Sequence, residues 1–320
     1  MGKHVVLVTR KYSAAVEMRL ERDYQARLNP DDTILDLASL MKAADGTEAI
    51  LMTASEPLNA EAVMGLPATV KIVANFGAGY DQIDLDAAAS RGLVVTNTPD
   101  AVTAPTADLA MLLILGVARR GHEMQTILRE GQWGAWSPTW MLGRDVTGKR
   151  LGIVGMGRIG QAVARRARGF DMEVHYHNRN RLSPEKEAGA VYHTQPETLL
   201  RISEFLSLHF PATPQTKLWL NEDRIALLPD GAFVINAARG SLVDEDALIA
   251  ALKSGKLGGA GLDVFQSEPD VRPDLVSLEN TFLLPHIGSG TVEGRDAMGF
   301  QCLDNLDAFF AGREPPNRVA

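Results

Sequence analysis

The strongest constraint on the fold is a glycine-rich segment, GMGRIG, that stands between a strand pattern and a helix pattern. An apolar run, Leu151–Val154, precedes it, an amphipathic helix pattern follows it, and a second strand pattern, Val174–His177, comes next. In such a βαβ context Gly155 allows a tight turn, Gly157 allows the backbone to approach a pyrophosphate, and Gly160 allows the helix to pack close to the sheet. The segment therefore predicts a dinucleotide-binding unit with its pyrophosphate at a helix N-terminus.

Short apolar or β-branched runs alternate with helical patterns along the whole chain. The other runs predicted as strands are Lys3–Thr9, Ala49–Thr53, Val70–Ala74, Leu93–Thr96, Glu204–Leu208, Ala232–Asn236, Gly259–Val264 and Thr281–Leu284. Strands that alternate with helices predict parallel sheets covered by helices on both faces. A chain of 320 residues is long enough for two such units. We therefore expect an α/β protein with two doubly wound parallel sheets.

The composition argues against several classes of protein. A net charge of −8 gives no broad basic face for nucleic acid, and the apolar run Ala110–Ala118 is too short to span a membrane. The N-terminus lacks the apolar stretch of a secretory signal, and the single cysteine, Cys302, favours a reducing compartment, so we expect a cytoplasmic protein. We expect no metal site, because the histidines are scattered and His175 and His177 are expected on opposite faces of their strand.

The end of the second strand of the βαβ unit indicates which dinucleotide binds. A site for NAD normally places an Asp or Glu there, which accepts hydrogen bonds from the ribose hydroxyls. Here Asn178 occupies that place, 23 residues after Gly155, and Arg179 and Arg181 follow it. Arginine pairs well with a 2′-phosphate, so the exchange of an acid for cations predicts a preference for NADPH over NADH. The alternative is that both arginines are solvated surface charges.

Three polar residues in the second half of the chain, Arg239, Glu268 and His286, each follow a predicted strand by a few residues. Alone, each has an ordinary interpretation: a turn arginine, a solvated glutamate or a core histidine. Beside a nicotinamide they form a coherent set, because reduction of a carbonyl group needs a proton donor, and histidine titrates near neutral pH. Glu268 would orient the imidazole and keep it protonated, and Arg239 would bind a substrate carboxylate.

The strings GMGRIG, NAARGSLVDEDAL, GLDVFQSEP and LLPHIGS, in this order, resemble the D-isomer-specific 2-hydroxyacid dehydrogenases. WSPTWMLG and YHNR are similar to the glyoxylate and hydroxypyruvate reductase branch of that family. The resemblance implies a catalytic triad of Arg239, Glu268 and His286. It also implies a discontinuous substrate-binding domain, residues 1–100 and 287–320, into which a dinucleotide-binding domain, residues 101–286, is inserted.

The resemblance also assigns contacts and an assembly. The residues it assigns to the cofactor are Thr106, Gly155, Gly157, Arg158, Ile159, Gly160, Asn178, Arg179, Arg181, Pro211, Ala237, Asp263 and Gly288. The residues it assigns to the substrate are Ala78, Gly79, Arg239, His286 and Trp140. Such enzymes are usually homodimers through the cofactor domain, and the segment Gly131–Gly143, with three tryptophans, suits a contact with a second copy.

Three functions remain open from the sequence. The favoured one is an NADPH-preferring reductase of glyoxylate and hydroxypyruvate, with NAD(H) as a possible second cofactor. Phenylpyruvate or branched 2-oxo acids are the alternative substrates on the same scaffold. A dinucleotide-sensing binding protein without turnover is a third hypothesis, which the absence of basic or disordered arms disfavours.

Overall fold

The computed structural model describes residues 2–320 of the chain. It divides into two compact units. The smaller unit contains the residues up to Val102 together with Ser289–Ala320, and the larger unit is Thr103–Gly288. Both divisions lie two residues beyond the boundaries expected from the sequence. One unit is therefore continuous in sequence, and the other is made from the two ends of the chain.

The strands form two parallel sheets, one in each unit. Those of the smaller unit are β1 (Val5–Val8), β2 (Gln25–Arg27), β3 (Ala49–Met52), β4 (Ile72–Asn75) and β5 (Val94–Thr96). Those of the larger unit are β6 (Arg150–Val154), β7 (Glu173–His177), β8 (Val191–Tyr192), β9 (Phe205–Leu208), β10 (Ala232–Asn236), β11 (Leu257–Leu262) and β12 (Thr281–Leu283). Two parallel sheets with helical crossovers confirm the predicted fold class.

The helices complete the alternation that the sequence predicts. They are α1 (Ala14–Asp23), α2 (Leu37–Ala44), α3 (Ala60–Gly65), α4 (Leu85–Ser90), α5 (Thr103–Ala118), α6 (Gly121–Arg129), α7 (Arg158–Arg168), α8 (Pro184–Glu187), α9 (Pro196–Leu200), α10 (Glu222–Leu227), α11 (Glu245–Ser254), α12 (Pro273–Val276) and α13 (Val292–Phe310), with a short 3-10 turn at Gly240–Leu242. Helix α5, which is apolar over most of its surface, is buried within the larger unit beside α7, β10 and β11.

The strand order of the larger sheet determines where a ligand can bind. The order is β12-β11-β10-β9-β6-β7-β8, so the chain leaves β6 in one direction toward β7 and later returns on the other side to β9. Ligands of open parallel sheets bind outside the carboxyl ends of the strands, where the strand order reverses. In this sheet that point lies between β6 and β9, directly beside the glycine-rich segment.

Two short strands and several strand boundaries differ from the sequence prediction, the boundaries by one or two residues. The edge strands β2 and β8 were not predicted, because a segment of two or three residues carries too little alternation to be recognised. Strand β11 begins at Leu257 and ends at Leu262 rather than spanning Gly259–Val264. Asp263 therefore lies just outside the strand, at the edge where the polar residues gather.

Candidate active site

The glycine turn between β6 and α7 has the conformation that the sequence predicts. Gly155 has a φ of 89°, a value that other residues rarely adopt, and a Cβ atom there would lie 2.6 Å from the carbonyl oxygen of His209. A Cβ atom at Gly160 would lie 2.5 Å from the carbonyl oxygen of Gly155. Both positions exclude every larger residue, which explains the tight turn and the close packing of α7.

The N-terminus of α7 is open to a ligand. Its N-cap residue, Gly157, supplies no side chain to bind the first N–H groups of the helix. A Cβ atom on Gly157 would meet no protein atom within 4 Å. Open space at a helix N-terminus, where the first N–H groups have no acceptor within the helix itself, fits the pyrophosphate of a dinucleotide. Arg158 and Ile159, both predicted cofactor contacts, form the first turn of α7.

Asn178 fixes the glycine turn from the neighbouring strand. Its Oδ1 atom accepts a hydrogen bond of 2.7 Å from the backbone N–H of Met156, inside the turn. The carbonyl of His177 accepts a second bond, 3.0 Å long, from the N–H of Gly155. The residue predicted to contact the ribose therefore also shapes the phosphate turn, a role that the sequence spacing alone did not indicate.

The two arginines after Asn178 differ in their surroundings. Arg179 is exposed at the end of β7. The Nε and Nη2 atoms of Arg181 donate to the Glu187 carboxylate at 2.7 and 3.1 Å, and its guanidinium lies over the Tyr192 ring. Glu187 also accepts from the hydroxyl of buried Tyr176. Glu187 was not predicted as a partner of Arg181, because it lies on a helix beyond the strand end. The contact of Arg181 with a phosphate stays a prediction.

His286 and Glu268 form a hydrogen-bonded pair. The Nδ1 atom of His286 lies 2.6 Å from Oε2 of Glu268, while Oε1 of Glu268 accepts from the N–H of Phe265 at 2.8 Å. Burial acts to raise the pKa of Glu268, but the hydrogen bonds from His286 and Phe265 and the charges of His286 and Arg239 outweigh it, so the pKa is lowered. Glu268 is therefore an ionised acceptor that orients the imidazole through its Nδ1 atom.

The backbone of His286 is held in an unusual conformation. Its φ is 52°, which lies in the left-handed region. A residue with a Cβ atom adopts this region only at a cost in free energy. Asp263 stabilises this turn: its carbonyl accepts from the N–H of His286 at 2.8 Å, and its two carboxylate oxygens accept from Ile287 and Gly288 at 2.9 and 2.8 Å. Burial raises the pKa of Asp263, against the effect of these two N–H groups. Asp263 thus sets the direction of the histidine side chain.

Arg239 lies in a turn shaped by a buried amide. Asn236, at the end of β10 and 1% exposed, donates through Nδ2 to the carbonyl of Arg239 and accepts through Oδ1 from the N–H of Ala238. A Cβ atom on the next residue, Gly240, would lie 1.9 Å from the carbonyl carbon of Phe265, whose N–H donates to Glu268. The structure therefore brings all three predicted catalytic residues to one region of the larger unit. Asn236 was not predicted, although its place at a strand end just before Arg239 was a usable signal.

The remaining predicted site residues lie in several places. Thr106 is buried on α5, and a Cβ atom on Gly288 would lie 3.3 Å from both its hydroxyl and the Asp263 carboxylate. Ala237 follows β10 and packs on the core, and Pro211 is exposed after β9. In the smaller unit, the carbonyls of Ala78 and Gly79 accept from two asparagine side chains, those of Asn97 and Asn75.

Trp140 lies on an exposed apolar segment of the larger unit. Its exposed fraction is 41%, and those of Trp133 and Trp136 are 67% and 81%. Large apolar side chains exposed together on one segment are typical of a surface that contacts another protein.

The prediction for His175 and His177 was wrong. Residues two apart on a strand point to the same face, and both imidazoles lie beside His193: His175 bonds its ring and His177 bonds its carbonyl. Among residues 2–320, no three His, Cys, Asp or Glu side chains are arranged to hold a metal ion. Cys302 is buried on α13. None of the helices in the described part of the chain is long and apolar enough to cross a membrane.

Known proteins match the whole chain. A family model described as the NAD binding domain of D-isomer specific 2-hydroxyacid dehydrogenases matches residues 111–288. The chain is 40% identical to a glycerate dehydrogenase of Hyphomicrobium methylovorum, with 98% of each chain covered, and 44% identical to a glyoxylate reductase of Thermococcus kodakarensis, with 95% and 92% covered. A solved structure of an NADPH-dependent glyoxylate/hydroxypyruvate reductase from Sinorhizobium meliloti, in complex with NADP and malonate, is 34% identical, covers 100% of this chain and 97% of its own, and superposes with a TM-score of 0.87.

Proposed function

Because the chain belongs to the D-isomer specific 2-hydroxyacid dehydrogenase family, in its glyoxylate reductase branch, we propose that it is an NADPH-preferring reductase of small 2-oxo acids. The resemblance inferred from the sequence motifs is thereby confirmed, and the protein is an NAD(P)-dependent D-2-hydroxyacid dehydrogenase. Glyoxylate and hydroxypyruvate are the proposed substrates, and a D-2-hydroxy acid is the product when the carbon becomes chiral. The observation that carries this proposal is the 2.6 Å contact between His286 and Glu268, whose loop touches the turn of Arg239 at Gly240.

The chemistry divides between the cofactor and the chain. When bound, NADPH supplies a hydride to the carbonyl carbon of the substrate. Arg239 binds the substrate carboxylate, because a guanidinium can donate two parallel hydrogen bonds to it. Its positive charge polarises the neighbouring carbonyl group. The predicted carboxylate contacts of Ala78 and Gly79 belong to the smaller unit and stay a prediction.

His286 delivers the proton. With Nδ1 bonded to the Glu268 carboxylate, the protonated imidazole carries its second proton on Nε2 and donates it to the carbonyl oxygen as the hydride arrives. A 2-oxo acid, NADPH and one proton thus give a 2-hydroxy acid and NADP⁺. In the reverse direction the neutral imidazole accepts the proton of the substrate hydroxyl.

The preference for NADPH depends on the end of β7. Asn178 replaces the acid that would repel a 2′-phosphate, and the exposed Arg179 supplies a cation next to it. Arg181 contributes less to this preference than the sequence suggested, because it is bound to Glu187. The NADP complex of the Sinorhizobium meliloti reductase supports the same choice of cofactor.

The assembly and the location are also proposals. The exposed tryptophans on Gly131–Gly143 support a homodimer formed through the larger unit, with Trp140 near the substrate of the second copy. The single cysteine, which is buried, agrees with a cytoplasmic protein.

One kinetic comparison tests the function. Turnover of glyoxylate, hydroxypyruvate and phenylpyruvate is followed at the nicotinamide absorbance band with NADPH and with NADH. We expect the highest kcat/KM with NADPH and the two small acids. A preference for phenylpyruvate would favour the reductase of larger 2-oxo acids, and binding of NADPH without turnover of any of these acids would favour the sensing protein.

A further inference from the structure

The loop that carries Glu268 needs an anchor that apolar packing does not supply. Residues 266–270 are all exposed, and only Phe265 and the residues before it are buried. Glu268 nevertheless has to stay within hydrogen-bond reach of His286, because small displacements of a general acid greatly reduce the rate of proton transfer. An exposed loop with so few apolar contacts keeps one conformation only when polar bonds fix its backbone.

Glu245 supplies such a bond. It is the first residue of α11, it is 4% exposed, and its Oε1 atom accepts from the backbone N–H of Gln266 at 2.7 Å. The Gln266 side chain bonds back to the same region, because its Nε2 atom donates to the carbonyl of Val243 at 2.5 Å. Two hydrogen bonds therefore join the loop to the start of α11.

The neighbouring amides of the loop bind two different carboxylates. The N–H of Phe265 donates to Glu268, and the N–H of Gln266 donates to Glu245. Since each N–H belongs to a planar peptide group, the bond to Glu245 fixes the rotation of the peptide that follows Phe265. That rotation sets the path of the chain toward Glu268.

Gly240 brings the turn of Arg239 against the same peptide. A Cβ atom at position 240 would lie 1.9 Å from the carbonyl carbon of Phe265 and 2.5 Å from the nitrogen of Gln266, so the two backbones touch. The turn that holds Arg239 and the loop that holds Glu268 thus share one contact. A rotation of the Phe265–Gln266 peptide would disturb both.

The position suits a carboxylate. Glu245 lies in the first turn of α11, where the helix dipole stabilises negative charge, and the N-cap residue Asp244 fixes that turn by accepting from Asp246 and Ala247. A buried carboxylate that accepts an amide N–H at a helix N-terminus is a stable anchor. Nothing in the proposed chemistry requires Glu245 to touch the substrate.

We propose that Glu245 is a positioning residue for the acid–base pair, which holds the loop of Glu268 through the amide of Gln266. The proposal rests on the proposed function of His286 as proton donor. It separates two carboxylates with different tasks: Glu268 orients the imidazole, and Glu245 orients the peptide that leads to Glu268.

The test compares Glu245→Ala, which removes the acceptor, with Glu245→Gln, which keeps an acceptor oxygen, and with Glu222→Ala. Glu222 is the matched control, because it is also the first residue of a helix, α10, but it is exposed. For Glu245→Ala we expect kcat with glyoxylate to fall about tenfold, with the KM for NADPH unchanged. We expect the high-pH limb of the kcat/KM profile to move toward lower pH, because a misplaced Glu268 stabilises the imidazolium less. Asp263 and Arg239, the other charged groups near the pair, are the same in every variant.

Both Glu245→Gln and Glu222→Ala should keep the wild-type pH profile. In a Glu268→Gln background, Glu245→Ala should cause no further shift of the high-pH limb of kcat/KM, since the effect of residue 245 passes through Glu268. A Glu245→Ala variant with an unmoved limb, whatever its Tm, would overturn the proposal. If that variant does not fold, Glu245→Asp, which keeps the charge but withdraws the oxygen, should show a smaller shift in the same direction, and an unmoved limb there counts equally against it.

A readout without turnover separates this proposal from the proposed function. The NMR signals of the His286 imidazole can be followed against pH in the wild type and in Glu245→Ala. A wild type that fails to reduce any 2-oxo acid contradicts the proposed function. A His286 titration that is identical in the two proteins contradicts the role of Glu245, and a displaced titration supports it.

Discussion

The glycine turn and the acid–base pair lie at the same edge of the larger sheet, yet the chain builds them differently. The turn is made by one continuous βαβ stretch, from β6 through α7 to β7, and its geometry depends mainly on glycines, together with the Asn178 side chain that accepts from Met156. The acid–base region is assembled from three separate segments, those of Arg239, Glu268 and His286. Buried polar side chains join these segments.

This difference follows from the proposed task of each region, which is phosphate binding for the glycine turn and proton transfer for the acid–base region. A pyrophosphate is recognised by backbone N–H groups, so the proposed phosphate site depends mainly on glycines at fixed spacing. The proposed proton transfer needs one side chain held in one orientation, and the Asp263 and Glu268 carboxylates accept the hydrogen bonds that hold the loop and the imidazole of His286. We therefore expect the glycine turn to tolerate changes of side chain outside its glycines and Asn178, and the acid–base region not to tolerate them.

The largest expected effect separates chemistry from binding. For His286→Gln we expect kcat to fall by about a thousandfold or more, because glutamine cannot donate a proton at neutral pH. Binding of NADPH, measured by fluorescence titration, should change little, since the glycine turn is built independently. A variant that keeps its activity would remove His286 as the proton donor, and one that loses NADPH binding would show that the two ends are not independent.

A smaller effect is expected at the ribose end. For Arg179→Ala we expect kcat/KM with NADPH to fall about tenfold through the KM, with NADH unaffected, because one charge-assisted bond to a phosphate is lost. Arg181→Ala is the matched comparison: it breaks the pair with Glu187 and should affect both cofactors equally and weakly. Equal losses with both cofactors in Arg179→Ala would contradict the phosphate contact.

The smallest effect concerns the neighbour of the glycine turn. Burial lowers the pKa of His209 to about 4, from 6.5 in an unfolded chain. Between those values the unfolded chain binds more protons, so this group's contribution to the free energy of unfolding falls as the pH falls from 6.5 and is fully lost below 4. Between pH 6.5 and pH 4 the Tm of His209→Gln should therefore fall by a few °C less than the Tm of the wild type. Parallel Tm curves for the two proteins would contradict a buried neutral imidazole.

The sequence was most informative where the determinants are local. The dinucleotide turn was predicted from the glycine spacing within a βαβ pattern, and Gly155 and Gly160 have the close contacts that the spacing implies. The parallel sheets were predicted from alternation, although β2 and β8 were too short to recognise. The anchors of the acid–base region, Glu245 above all, were not predicted. Their partners lie about twenty residues away in the sequence, and no short pattern links a buried carboxylate to a distant amide.

The charge pattern at β7 shows the same limit. Arg181 was expected beside a phosphate because, like Arg179, it follows a strand end that lacks the usual acid, and the sequence did not show that Glu187, six residues later, binds it. The charges at a strand end predict the sign of a ligand's charge better than they predict which cationic side chain contacts that ligand.

Because the backbone of His286 is left-handed, thermal stability and the proposed activity favour different residues at this position. Glycine would adopt this conformation without steric penalty and so relax the turn, while removing the proposed proton donor. A search for more stable variants that measures only Tm would therefore favour replacement of the residue on which the proposed reaction depends. Stabilising changes should therefore be sought outside His286, Asp263 and Glu268, because the bonds of Asp263 support this conformation and that of Glu268 orients the imidazole.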